Sequence, residues 1–218
     1  MESVSDAVQL AVLAACFALS LLRAQRERGT AWTAVACFYA CMLLGNAYWL
    51  GYQLVFGDIP HYSRIAEMSW IAGYVFLIIL AVELDRGRGV VAPVPAAWIP
   101  VAACAACCVF YIVDSGSPLL NIADNGLLAA VGFFAVKGIV APVARSAEDG
   151  RRAGSLASNR PLHAALLAFV AVEQALWLAS CLPEPELLKG VDLYIVLNYV
   201  LTLSYAAILA CAWRSGKA

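Results

Sequence analysis

Residues 63–74 read SRIAEMSWIAGY and run on through VFLIILAVEL to Leu84, just short of Asp85, Arg86 and Arg88. Between Ile65 and Leu84 the carboxylates are Glu67 and Glu83, one near each end. A helix of that length rises about 30 Å, the thickness of a bilayer's hydrocarbon core. The segment therefore reads as a membrane-spanning helix that carries a carboxylate about one turn inside its beginning. That acid is expensive in lipid, so the reading must say what it faces.

The rest of the chain is written in the same way. Hydrophobic residues make up 63% of the 218, charged ones 13%, and the mean hydropathy is +0.81. A soluble domain is roughly half apolar and about a quarter charged. Apolar runs of spanning length fall at about 5–22, 31–56, 64–84, 92–113, 119–143, 162–181 and 190–213. The expected fold is all-α: one domain, 1–218, a polytopic bundle of seven transmembrane helices. Its expected location is a membrane, multi-pass, with the bacterial cytoplasmic membrane suggested by the chain's compactness.

Basic residues orient the bundle, because cytoplasmic loops retain lysine and arginine. Twelve of the fourteen positive charges fall on one side: Arg23, Arg26, Arg28, Arg86, Arg88, Lys137, Arg145, Arg151, Arg152, Arg160, Arg214 and Lys217. Arg64 and Lys189 fall on the other. The N-terminus is thus expected outside and the C-terminus in the cytoplasm. The first apolar run follows the acidic MESVSD and precedes the basic RAQRERG, which favours a retained N-out helix over a cleaved leader. The loop ARSAEDGRRAGSLASNRP, 144–161, reads as a polar cytoplasmic connection.

The segment quoted at the start has echoes. IAEMSWIAGY at 65–74, IADNGLLAAV at 122–131 and GVDLYIVLNY at 190–199 each place an acid third, before an apolar run. GNAYWLGY at 45–52 compares with EQALWLAS at 173–180, aligning Asn46 with Gln174 and Trp49 with Trp177. The expected organisation is a leading helix, 5–22, followed by three helical hairpins, 31–84, 92–143 and 162–213. Glu67, Asp124 and Asp192 then share a position, each within about two turns of the outer surface. Two uses fit that position. The acids can line an outer vestibule, or they can cap helix N-termini and offset the helix dipole.

Glu173 is placed differently. It lies near the middle of the sixth run, where an ionisable group costs at least about 2.5–3 kcal/mol on insertion scales and turns toward the bundle interior. Gln174 beside it, Asn46 and Asn198 are polar at comparable depth. They suit either a polar cavity or hydrogen-bonded helix contacts. Trp49, Trp70, Tyr74, Trp177 and Tyr199 concentrate in the outer halves. Some outer aromatics belong to the interfacial belt, yet Tyr74, Trp177 and Tyr199 lie deeper than a belt requires. Carboxylates beside such rings suit an organic cation, through charge and cation–π attraction, or an aromatic solute.

Other chemistry finds little support. Of eight cysteines only Cys181 lies near the outer surface, and the Cys104–Cys107 pair sits in an apolar run without the exposed, acidified thiolate that redox work needs. His61 and His163 belong to opposite faces and cannot share a metal or haem. The last run has no lysine for a retinal, and no phosphate loop or HExxH stretch occurs. No cofactor, metal or catalytic group is expected, and nucleic acid is not an expected partner because topology accounts for the basic loops. One helix plus three hairpins resembles the layout of some bacterial sensory membrane domains, but the Met-His-Tyr-Thr motifs that mark one such class are absent, so no residue role follows.

The expected function is binding of a small, cationic or aromatic solute in an outward-facing pocket built from Glu173, Gln174, Asn46, Trp49, Glu67, Trp70, Tyr74, Asp124, Trp177, Asp192, Asn198 and Tyr199. A solute carrier or facilitator fits best. The alternatives are a receptor-like subunit that signals to a separate cytoplasmic partner and a non-catalytic subunit of a membrane complex. The expected partners are lipid, the small-molecule ligand and a cytoplasmic or membrane protein.

Overall fold

The computed structural model describes residues 2–57, 64–85, 94–115, 117–140, 159–182, 186–188 and 191–215. These form α1 (Glu2–Glu27), α2 (Thr30–Phe56), α3 (Arg64–Asp85), α4 (Trp98–Ser115), α5 (Pro118–Val140), α6 (Arg160–Ser180) and α7 (Leu193–Ser215). A 3₁₀ turn, Pro95–Ala97, leads into α4, and two short antiparallel strands, β1 (Glu186–Leu188) and β2 (Val191–Asp192), precede α7. All seven helices are long and apolar enough to cross a bilayer. The chain is a multi-pass, all-α membrane protein. The expected loop 144–161 lies almost wholly outside the described residues, as does His61.

Helix limits follow local chemistry. Pro95, Pro118 and Pro161 stand at the starts of their helical segments, where a missing N–H costs nothing. α2 stops at Gly57, whose φ of 67° lets its amide turn back to the Gln53 carbonyl at 2.9 Å. α1 and α2 are joined by Arg28 and Gly29 alone, so they lie antiparallel and side by side.

Consecutive spans alternate in direction, so the starts of α1, α3, α5 and α7 share one face with the ends of α2, α4 and α6. We refer to this as the N-terminal face. The opposite face carries Arg23, Arg26, Arg28, Arg160 and Arg214 among the described residues. The helices α1, α2, α3, α5, α6 and α7 pack each against the next, and α7 returns to α1. Six helices thus close a ring. α4 stands outside it, packed on α5 with slight contact to α6.

Two zones divide the ring's interior. Toward the arginine-bearing face it is filled: Phe38, Tyr39, Leu77, Leu80, Ala135, Leu166, Phe169, Tyr205 and Ile208 are all buried. Phe38 meets Phe169 edge-on at 5.8 Å, Phe169 lies 5.7 Å from Tyr205, and the Tyr39 hydroxyl donates to the Tyr205 carbonyl at 2.7 Å. Toward the N-terminal face the interior is hollow. Large apolar side chains such as Leu19, Leu54, Trp98, Ile99, Val113, Leu119 and Leu203 cover the outside, a surface that suits lipid and would drive association in water.

Candidate functional site

A cavity of about 450 Å³ occupies the hollow half. Its walls come from α1 (Asp6, Gln9), α2 (Asn46, Trp49, Gln53), α3 (Glu67, Trp70, Tyr74), α6 (Glu173, Trp177) and α7 (Asn198, Tyr205), with Asp192 and Tyr194 at the start of α7. All these residues but Tyr205, which forms the floor, lie toward the N-terminal face of their helices. At 1.5 Å per residue, Glu173 is about 10 Å in from Ser180, Tyr74 about 15 Å in from Arg64 and Tyr205 about 18 Å in from Leu193. The space therefore runs from the N-terminal face to the middle of the bundle and ends there on the packed aromatic zone.

Its electrostatics are one-sided. Among the described residues, the lining contains Asp6, Glu67, Glu173 and Asp192 and no lysine, arginine or histidine. Glu173 is 5% exposed, and the Tyr74 hydroxyl lies in hydrogen-bonding range of it. Asp124, on α5 behind the wall, is in electrostatic range of both Glu67 and Glu173. Three helices thus bring carboxyl groups together at one side of the cavity. Among the described residues no group of three metal-ligating side chains converges tightly enough to hold an ion.

Aromatic rings make up much of the remaining wall. Trp49 and Trp70 lie 5.9 Å apart and tilted by 45°. Trp70 can sit there because residue 45 is glycine: a Cβ at that position would come within 2.5 Å of the indole nitrogen. Trp177 packs on Tyr111 of α4 at 6.3 Å, and Tyr74 on Phe169 at 6.1 Å. The indole faces are thus held by contacts behind them.

Of the twelve site residues expected from sequence, the lining includes Glu173, Asn46, Trp49, Glu67, Trp70, Tyr74, Trp177, Asp192 and Asn198. Three stand elsewhere. Gln174 is buried between helices, where its Nε2 donates to Asn125 Oδ1 at 2.9 Å and its carbonyl accepts from the Tyr111 hydroxyl at 3.1 Å. Tyr199 is 39% exposed on the bundle's outside. Asp124 stays behind the wall. For Gln174 and Tyr199 one residue's step along the helix, about 100°, separates the cavity face from its neighbour: Glu173 from Gln174, Asn198 from Tyr199.

The proposed equivalence of Glu67, Asp124 and Asp192 also meets differing settings. Glu67 is in the first turn of α3 and lines the cavity. Asp124 lies well into α5, about two turns beyond Pro118. Asp192 precedes α7 and accepts the Tyr194 amide at 2.8 Å, which is a cap. Asp192 therefore serves the helix and faces the cavity together.

Sequence reasoning missed Asp6, Gln9, Gln53, Tyr194 and Tyr205. α1 offered a signal that went unused: Ser5, Gln9, Leu13, Cys16 and Ser20, spaced by three or four, are its buried stripe, and three of the five are polar. A helix with polar groups on its buried stripe is more than an anchor. Asn198 ties this stripe to α7, donating to Asp6 at 2.9 Å and to Ser5 at 3.3 Å.

No protein-family model, curated protein or solved structure matches the chain.

Proposed function

We propose that this protein binds a small organic cation in the cavity and carries it across the membrane. The observation that supports this most directly is the lining's composition: four acidic residues, three indoles and, among the described residues, no basic side chain. In a half-enclosed site away from bulk water, an ammonium gains from the carboxylates and from the ring faces at once. An anion finds only repulsion there. With the arginine-bearing face in the cytoplasm, as the positive-inside rule directs, the cavity opens outward and its acidic rim gathers cations from outside. The setting proposed is a bacterial cytoplasmic membrane.

Carriage requires the packed half to open while the hollow half closes, the usual alternation of carriers around a midplane site. A second reading rests on the seal itself. With Phe38, Phe169 and Tyr205 closing the far end, the cavity is a blind pocket, and a receptor that passes a helix shift to a cytoplasmic partner needs no path through. Neither reading involves making or breaking a bond.

The test uses purified protein in phosphatidylcholine vesicles and radiolabelled tyramine, choline and tetraethylammonium. Saturable uptake of at least one, reduced about tenfold or more by Glu173→Gln in a variant that keeps its thermal unfolding temperature, is the expected result. Saturable binding without uptake replaces the carrier with the receptor. No binding of any cation removes both.

A further inference from the structure

The lining offers uncommitted amides as well as acids. α3 and α6 supply Glu67 and Glu173, and α5 joins them behind. α1 and α2, packed on each other, supply the amides of Gln9 and Gln53, and α1 adds the carboxyl of Asp6. Gln9 is 3% exposed, and among the described residues its Nε2 has no hydrogen-bond partner. The Oε1 of Gln53 is likewise buried without one. The other amides near the cavity are committed: Asn46 donates to the Met42 carbonyl at 2.8 Å and Asn198 to Asp6.

A buried donor and a buried acceptor left unmet on one wall each carry a desolvation cost of about 1–3 kcal/mol. Such groups persist in native proteins where something else satisfies them. The torsion that turns a glutamine's terminal amide is soft, so both groups can swing to an arriving partner. An unmet donor and an unmet acceptor on the lining each match a hydroxyl, which can accept from the first and donate to the second. A carboxylate on the ligand would be repelled by the acids around it.

From this we infer that the cation bound in the cavity is a hydroxylated amine, its nitrogen toward Glu67 and Glu173 and its hydroxyl toward Gln9 and Gln53, with an apolar or aromatic body spanning the indoles between. The inference rests on the cation-binding reading and adds the second pole. Gln9 on α1 thereby becomes a specificity-determining residue.

Tyramine and phenethylamine differ by one ring hydroxyl and share the ammonium and the ring, which makes them the probes. Equilibrium binding to the vesicle-reconstituted protein, read from quenching of tryptophan fluorescence, is expected to favour tyramine by about tenfold or more. Gln9→Leu, and separately Gln53→Leu, bring the ratio of the two affinities close to one by weakening tyramine. The ratio is the readout because a partly unfolded preparation lowers the measured capacity for both amines alike. Equal affinity of the two for the native protein overturns the inference while leaving the cation reading intact. So does an undiminished preference in both glutamine variants. Failure of both amines to bind at all removes the cation reading and this inference with it.

Discussion

Glu173 and Gln174 are adjacent in sequence and do different work. One helical step of about 100° turns the carboxyl into the cavity and the amide into the contact among α4, α5 and α6. Gln174→Leu is therefore expected to destabilise the bundle, because it leaves the Asn125 amide oxygen without its donor. The magnitude expected is about 0.5–2 kcal/mol, since polar contacts between membrane helices are worth little more than that. Cation binding should survive in the protein that remains folded. Unfolding in detergent, paired with tyramine binding, separates the two: a variant of native stability that had lost binding would contradict the placement of Gln174. At this scale the sequence was informative about depth and silent about azimuth. Glu173 could be placed near the middle of its span, and Asn46 and Asn198 at comparable or shallower depth, by counting, but whether Tyr199 or Asn198 faces inward depends on where the neighbouring helices stand.

The elements differ in how much they contribute to the site. α3 is fastened on both sides. Toward the N-terminal face Trp70 packs on the bare backbone of Gly45 in α2, and near the opposite face Asp85 pairs with Lys137 of α5 at 3.1 Å. Asp85 is 10% exposed in its side chain and Lys137 30%, so the pair lies between a surface bridge, worth up to about 1 kcal/mol, and a buried one, whose breaking costs about 3–5 kcal/mol. Lys137→Met removes the ion pair to Asp85 and is expected to lower stability by an amount in that interval. Asp85→Asn introduced beside it should restore part of the loss; thermal unfolding of the single and double variants checks this, and additive losses would show that the two residues do not act as a pair. A lysine near the end of an apolar run reads from sequence as snorkelling to the surface, and its tie to a residue more than fifty positions away has no local signature. α1 is the converse case. It reads as an anchor by length and hydropathy, yet its stripe Ser5, Gln9, Leu13, Cys16 and Ser20 faces the interior and brings Asp6 and Gln9 to the cavity.

For the molecule as a whole, the hollow half and the filled half make the two faces unequal, and function depends on which one meets the exterior. From the charge asymmetry the arginine-bearing face is expected in the cytoplasm. Green fluorescent protein fused at the C-terminus is thus expected to fluoresce in cells, and alkaline phosphatase fused there to be inactive. The reverse pattern would turn the cavity to the cytoplasm and make the protein a binder of internal cations. Seven spans and the all-α class were legible in the sequence alone, because hydrocarbon forces every backbone amide to be satisfied within a helix and fixes how long that helix must be. The acid-rich end and the depth of Glu173 were legible for the same reason: distance along a spanning helix is distance through the membrane. Only the tertiary structure decided that α4 stands outside a ring of six, that Asp124 and Gln174 lie behind the wall, and that α1 contributes Gln9 to it. Those outcomes depend on which helix faces compete for the interior, and that competition is settled by packing between segments far apart in the chain, which no periodicity within one segment records.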